Sequence, residues 1–122
     1  MALIWSLLPR PLRQFLRDHV AARRHAATLR LIRESGLFDV TWYRETYPDV
    51  AARGIDPVLH YVQHGAREGR DPNSLFSSSW YLTTYPEVAA CGANPLADYI
   101  RNGVALGRDP SPLFSPPRYL EP

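Results

Sequence analysis

The chain has no lysine and a single cysteine, Cys91. One cysteine cannot form an intrachain disulfide, which excludes a disulfide-stapled fold and makes a reducing, cytoplasmic setting the natural expectation. All 14 basic side chains other than histidine are arginine, a bias we attribute to genome composition rather than to function. Long apolar runs are missing too. The opening stretch from Met1 to Leu8 is far shorter than the roughly 20 residues that cross a bilayer. It also lacks the basic start and small-residue cleavage site of an export signal. No segment alternates with period two, and prolines interrupt the few candidates, so strands are not expected. At 122 residues the chain is one domain at most, and small for an enzyme that must build its own pocket.

What is present is a repetition. Leu37 to Pro72 can be laid over Leu75 to Pro110 without a gap at a spacing of 38 residues, and 18 of the 36 aligned positions are identical. A short unit reiterated in register is the signature of a stacking architecture, which binds or spaces things more often than it catalyses. The chain divides accordingly into a leader (1–34), a first repeat (35–73), a second (74–111) and a partial third (112–122). Charge follows the same division. Residues 1–34 carry seven arginines against Asp18 and Glu34, whereas residues 35–122 carry seven arginines against ten acids.

Within each repeat, proline and glycine mark out three short helices, and an all-α fold is the expectation. Asp39 and Ser77 are suitable N-caps, each after a phenylalanine, and the helix they start should end before Pro48 or Pro86. Those prolines open a second helix, closed by Gly54 or Gly92. Asp56-Pro57 and Asn94-Pro95 then begin a third, which runs to about Gly65 or Gly103. The Asp-to-Asn exchange keeps the capping oxygen and loses the charge, favouring a structural role. Val58, Tyr61 and Val62 correspond to Leu96, Tyr99 and Ile100, an i, i+3, i+4 stripe. The aromatics are expected to pair at i, i+4: Phe38 with Trp42, Tyr43 with Tyr47, and their counterparts in the second copy.

The flanks differ from the repeats. From Pro11 the leader reads as a helix with Leu12, Phe15, Leu16, Val20, Ala26 and Ile32 on an apolar stripe. Trp5, Arg10, Arg13 and Arg17 are candidates for contact with an anionic membrane. The competing reading is a helix that caps the first repeat and whose arginines are merely solvated, which Asp18, His19 and His25 favour by diluting the stripe. In the third copy Leu113 and Phe114 restart the pattern, but Arg118 replaces the expected tryptophan. Either a solvent-facing cap or a truncated unit would read this way.

The strings SGLFDVTWYRETYPDVAARGIDPVLHYVQHGAREGRDP and LFSSSWYLTTYPEVAACGANPLADYIRNGVALGRDP resemble the repeat found beside glycosyltransferase domains in bacterial proteins of surface-polysaccharide, rhamnan-type synthesis. Similar units occur in some large calcium-binding secreted proteins. The resemblance covers residues 35 to about 120, and its LF, WY, YPDV, GxDP and GxxxGR elements are specific as a set. It implies a non-catalytic accessory module partnered by a glycosyltransferase domain or a polysaccharide, cytoplasmic or peripheral to the inner membrane. A structural spacer, or a piece of a glycosyltransferase whose catalytic part lies elsewhere, are the alternatives.

No catalytic residue, cofactor site or metal site is expected. Asp56, His60 and His64 have zinc-like i, i+4, i+8 spacing, but the second copy has Asn94, Asp98 and Asn102 there, so His60 is not expected to be essential to the unit. Trp42, Tyr43, Trp80 and Tyr81 are candidates to stack on sugar rings, against the plainer reading that they form the core. Arg70 and Arg108 are candidates to hold an anionic glycan, against pairing with helix-end carbonyls or the adjacent aspartates. Gly65 and Gly69 lack the strand-loop-helix setting and the lysine of a phosphate loop. Nucleic acid is not an expected partner, because the basic residues sit in the leader and the repeats are acidic.

Overall fold

The computed structural model describes residues 7–114, apart from the side chains at 17–22 and 24. It is all-α. Helix α1 spans Arg10–Ser35, and α2 (Val40–Thr46), α3 (Pro48–Ala52) and α4 (Pro57–His60) follow. Helices α5 (Ser78–Thr84), α6 (Pro86–Ala90) and α7 (Pro95–Asp98) repeat that succession, and a single 3-10 turn, Pro112–Phe114, comes last. Among the described residues there is no strand, only an isolated bridge between Asn73 and Phe76. The readings that fall on Trp5 and Arg118, and on the side chains of Arg17, Asp18, His19 and Val20, lie outside the described residues.

The local signals act where they were expected. The Asp39 carboxylate accepts the Trp42 amide at 3.0 Å and the Ser77 hydroxyl accepts the Trp80 amide at 3.3 Å, each satisfying an amide that the first helical turn leaves orphaned. Tyr47 and Tyr85 leave helical geometry at φ −122° and −121°, as residues before proline must. Gly54 and Gly92 turn the chain with φ of 65° and 68°, a region closed to most side chains. Asp56 and Asn94 cap α4 and α7 through the Val58 and Ala97 amides.

Three expectations need correction. First, α4 and α7 do not continue as regular helices to Gly65 and Gly103. Each widens into a π turn, Tyr61–Gly65 or Tyr99–Gly103, in which Ala66 N–H reaches Tyr61 C=O and Val104 N–H reaches Tyr99 C=O, both at 3.0 Å. Second, Phe38 does not pair with Trp42. Its ring lies 5.0 Å from Tyr43 and 5.7 Å from Tyr61, and Phe76 lies 5.3 Å from Tyr81 and 5.5 Å from Tyr99. Each phenylalanine precedes the N-cap, so it folds back on the fourth helical residue as a hydrophobic staple. The Tyr43–Tyr47 and Tyr81–Tyr85 pairs form as expected, at 4.8 and 4.9 Å.

The third correction concerns α1. Ile32 is fully buried and Leu29 packs against the core, but Leu12 is 41% and Phe15 64% exposed. At about 100° per residue, Phe15 falls about 100° and Leu12 and Leu16 roughly 160° around the axis from Ile32, so the presumed single stripe winds around the helix instead of forming one face. Nor does α1 close only the first repeat. It lies against α4, α7 and both π turns, with an ion pair from Arg33 to Asp56. The two units also lock directly, where the Tyr61 and Ser78 hydroxyls meet at 2.8 Å in the interior and Ser78 N–H donates to Asp71 at 2.8 Å.

Candidate functional site

The residues singled out from the sequence converge on one arrangement, built twice. Helix α2 places Trp42 and Tyr43 on adjacent faces. Tyr43 points inward with no exposed surface, and its ring meets Tyr47 and Tyr61. Tyr81 occupies the same place on α5 and is also fully buried. Tyr43 and Tyr81 are therefore core residues, and the expectation that they stack on a ligand is corrected. Burial pushes both phenols well above their usual pKa. Trp42 and Trp80 remain partly exposed, each edge-on to a tyrosine of the same unit with ring centroids 6.2 Å apart, Tyr47 in one case and Tyr85 in the other.

Each buried phenol needs an acceptor, and residues 60 and 98 supply it. The Tyr43 hydroxyl and His60 Nδ1 are 2.9 Å apart, and the Tyr81 hydroxyl donates to Asp98 at 2.7 Å. With its proton on Nε2, neutral His60 accepts the hydrogen bond of the Tyr43 hydroxyl on Nδ1. The residue type at this position differs between the units, histidine in one and aspartate in the other, but an acceptor is retained. The hydroxyls sit over the glycines of the π turns. A Cβ at Gly103 would lie 2.5 Å from the Tyr81 oxygen, and one at Gly65 would lie closer still to that of Tyr43.

Arg70 and Arg108 lie above Tyr47 and Tyr85, with guanidinium carbons 4.9 and 4.8 Å from the ring centroids. Arg70 grips Asp49 with two bonds of 2.9 and 2.8 Å and pairs with Glu68. Arg108 bonds Glu87 at 2.7 Å and Asp98 at 3.0 Å. The expected partners, helix-end carbonyls or Asp71 and Asp109, are not the ones used. Those aspartates instead offer their amides to the Tyr47 and Tyr85 hydroxyls, both at 2.9 Å. Sequence reasoning missed Asp49 and Glu87 as arginine partners. The signal was present: aligned copies keep an acid after YP, 21 residues before the arginine.

Electrostatics follow from these pairs. The Arg70 hydrogen bonds hold the Asp49 carboxyl below its usual range. Burial pushes Asp56 up, but the Arg33 guanidinium outweighs it and the carboxyl titrates low. Burial, with Arg70 nearby, pushes His60 below its ordinary value near 6.5. A lowered folded pKa means that the unfolded chain takes up the proton first. The stability contributed by neutral His60 is complete above about pH 6.5 and falls as pH drops toward the folded pKa. We therefore expect denaturant midpoints of the parent chain to fall more between pH 7.5 and 5.5 than those of His60→Asn. Equal losses in the two proteins would show that His60 is not the group responsible.

Among the described residues no group of three or more His, Cys, Asp or Glu is placed to hold a metal ion. Of the zinc-spaced trio, His60 is engaged by Tyr43 and Asp56 by Arg33, while the His60 and His64 rings lie 5.9 Å apart. Cys91 is free and exposed. In the leader Arg10 is exposed and Arg13 partly buried, well away from the tyrosine clusters in sequence. No described helix is long and apolar enough to cross a membrane. No protein-family model matches the chain, nor does any curated protein or solved structure.

Proposed function

We propose that the chain is a non-catalytic accessory module that works with bacterial glycosyltransferases of surface-polysaccharide synthesis at the cytoplasmic face of the inner membrane, where it contacts the glycan. The observation that supports this reading is the pair of partly exposed indoles, Trp42 and Trp80, standing at the same place in both units. Each is braced edge-on by a tyrosine that is itself covered by an arginine. A braced indole offers a flat apolar face to the C–H face of a sugar and loses little conformational freedom on binding. Two such faces on a tandem scaffold suit a ligand that is itself a repeating polymer, because the second contact is made intramolecularly.

Isothermal titration with surface-polysaccharide fragments tests the reading. Fragments spanning several sugar repeats are expected to bind, single repeats far more weakly. Trp42→Ala and Trp80→Ala should each reduce the affinity for the long fragment by about tenfold or more, since either loss removes the avidity. Absence of binding at millimolar fragment would reject glycan recognition and leave the chain as a spacer or a docking element for the enzyme.

A further inference from the structure

We propose that the polymer held by Trp42 and Trp80 is an uncharged one, and that the carboxylates near the two indoles turn away glycans bearing uronate, phosphate or sulfate groups. This rests on the glycan reading above and adds the chemical class of the ligand.

An anionic sugar is gripped best by arginine, through its planar fork of donors. Each unit has one against the tyrosine that braces its indole, Arg70 over Tyr47 and Arg108 over Tyr85. Both are already engaged. Two nitrogens of the Arg70 guanidinium bond Asp49 at 2.9 and 2.8 Å, and the third pairs with Glu68 at 3.1 Å. Arg108 is divided between Glu87 at 2.7 Å and Asp98 at 3.0 Å. One cation faces two carboxylates in each unit, which leaves a negative charge over. The arginine side chains are only 21% and 15% exposed, whereas those of Asp49 and Glu87 are 52% and 59% exposed. An approaching ligand meets carboxylate before guanidinium.

The comparison between units shows that this balance does not depend on one set of residues. The second unit has Leu106 where the first has Glu68, and its second acid comes instead from Asp98, at the position of His60. The excess of acid is kept by a different route. The helical neighbours of the indoles add to it. Residues three and four positions on share a helix face, and these are Glu45 and Thr46 after Trp42, and Thr83 and Thr84 after Trp80, all exposed. Arg44 falls roughly 160° around α2 from Trp42. Neither turn sets a cation beside its indole, and both offer hydroxyls that can exchange hydrogen bonds with those of a neutral sugar.

Titration calorimetry of the full chain with the uncharged fraction of surface-polysaccharide fragments tests this, each fragment spanning several repeats and lightly acetylated or lightly succinylated. The two probes share a backbone, and only the succinyl groups bring carboxylates. The acetylated fragment is expected to bind, and the succinylated one to bind about tenfold more weakly at low salt, with the gap narrowing as salt screens the repulsion. Asp49→Asn with Glu87→Gln removes two exposed ion pairs that contribute little to stability. It should improve the succinylated fragment about five- to tenfold relative to the acetylated one at low salt. Circular dichroism and the thermal midpoint verify that the variant is folded, and the salt dependence of the parent chain needs no variant. Equal binding of the two fragments by the parent chain would overturn the proposal and leave glycan recognition standing. So would tighter binding of the succinylated fragment, a preference indifferent to salt, or one that the folded double variant retains in full. Absence of binding by the acetylated and unmodified fragments at millimolar concentration would remove both readings.

Discussion

Gly65→Ala is expected to destabilise the chain by about 2–4 kcal/mol, and Tyr43→Phe is expected to restore much of that loss when the two are combined. The added methyl would overlap the Tyr43 hydroxyl, whereas the next atoms, His60 Nδ1 and Tyr61 Cδ1, lie at an ordinary 3.5 Å. To make room the phenol must leave His60 or the π turn must open. Either movement gives up a buried hydrogen bond as well as packing. Tyr43→Phe alone removes the oxygen and leaves His60 Nδ1 without its donor, at a cost of about 1 kcal/mol. In the double variant the clash disappears, so it should unfold at a higher denaturant concentration than Gly65→Ala. A loss of about 2–4 kcal/mol corresponds to roughly 8–16 °C in thermal midpoint for a domain of this size. If the double variant is no more stable than the single, the hydroxyl is not what excludes the methyl. Gly103→Ala with Tyr81→Phe repeats the experiment in the second unit.

The second large effect concerns the junction between the units. Tyr61 is fully buried, its hydroxyl meets Ser78 at 2.8 Å and the Leu96 amide lies beside the same oxygen. Burial pushes this phenol far above its usual pKa, so it remains neutral over the whole accessible range. Tyr61→Phe leaves two buried polar groups short of a partner and should cost about 1–3 kcal/mol. Ser78→Ala leaves one and should cost about 1–2 kcal/mol. The two together should cost less than the sum, with a coupling of about 1 kcal/mol in a double-mutant cycle. Purely additive losses would mean that the shared hydrogen bond does not tie the units together.

Much of the fold was legible in the residues because it depends on short-range chemistry. Caps, prolines and left-handed glycines act within a few positions, and comparing the two copies separated retained chemistry from incidental residues. What depended on distance was less legible. Trp42 and Tyr43 are adjacent in sequence and equally aromatic, yet one is partly exposed and the other sealed. That difference comes from which side of α2 meets α4, a tertiary fact. The π turns were hidden because glycine reads as a helix stop, whereas here it also makes room for a hydroxyl supplied from 22 residues earlier. The arginine partners escaped for a related reason. Proximity in sequence pointed to Asp71 and Asp109, while the guanidiniums reach the carboxylates at Asp49 and Glu87, which α3 and α6 bring beneath them. In α1 a list of apolar residues spaced by three and four passed for one face. Over six turns such steps drift around the axis, and only the buried Ile32 reveals where the packed side lies.

The span of α1 across both units also bears on how the protein is made. A chain leaves the ribosome from its amino terminus at roughly 5–20 residues per second. Helix α1 emerges first, but half of its packing surface, α7 and the second π turn, is synthesised last. For several seconds the helix is bound to the first unit alone, with Arg33 paired to Asp56. Completion of the second unit then makes it a clasp, so an interruption of synthesis between the repeats would release a chain with a loosely held basic helix rather than a shorter version of the finished molecule.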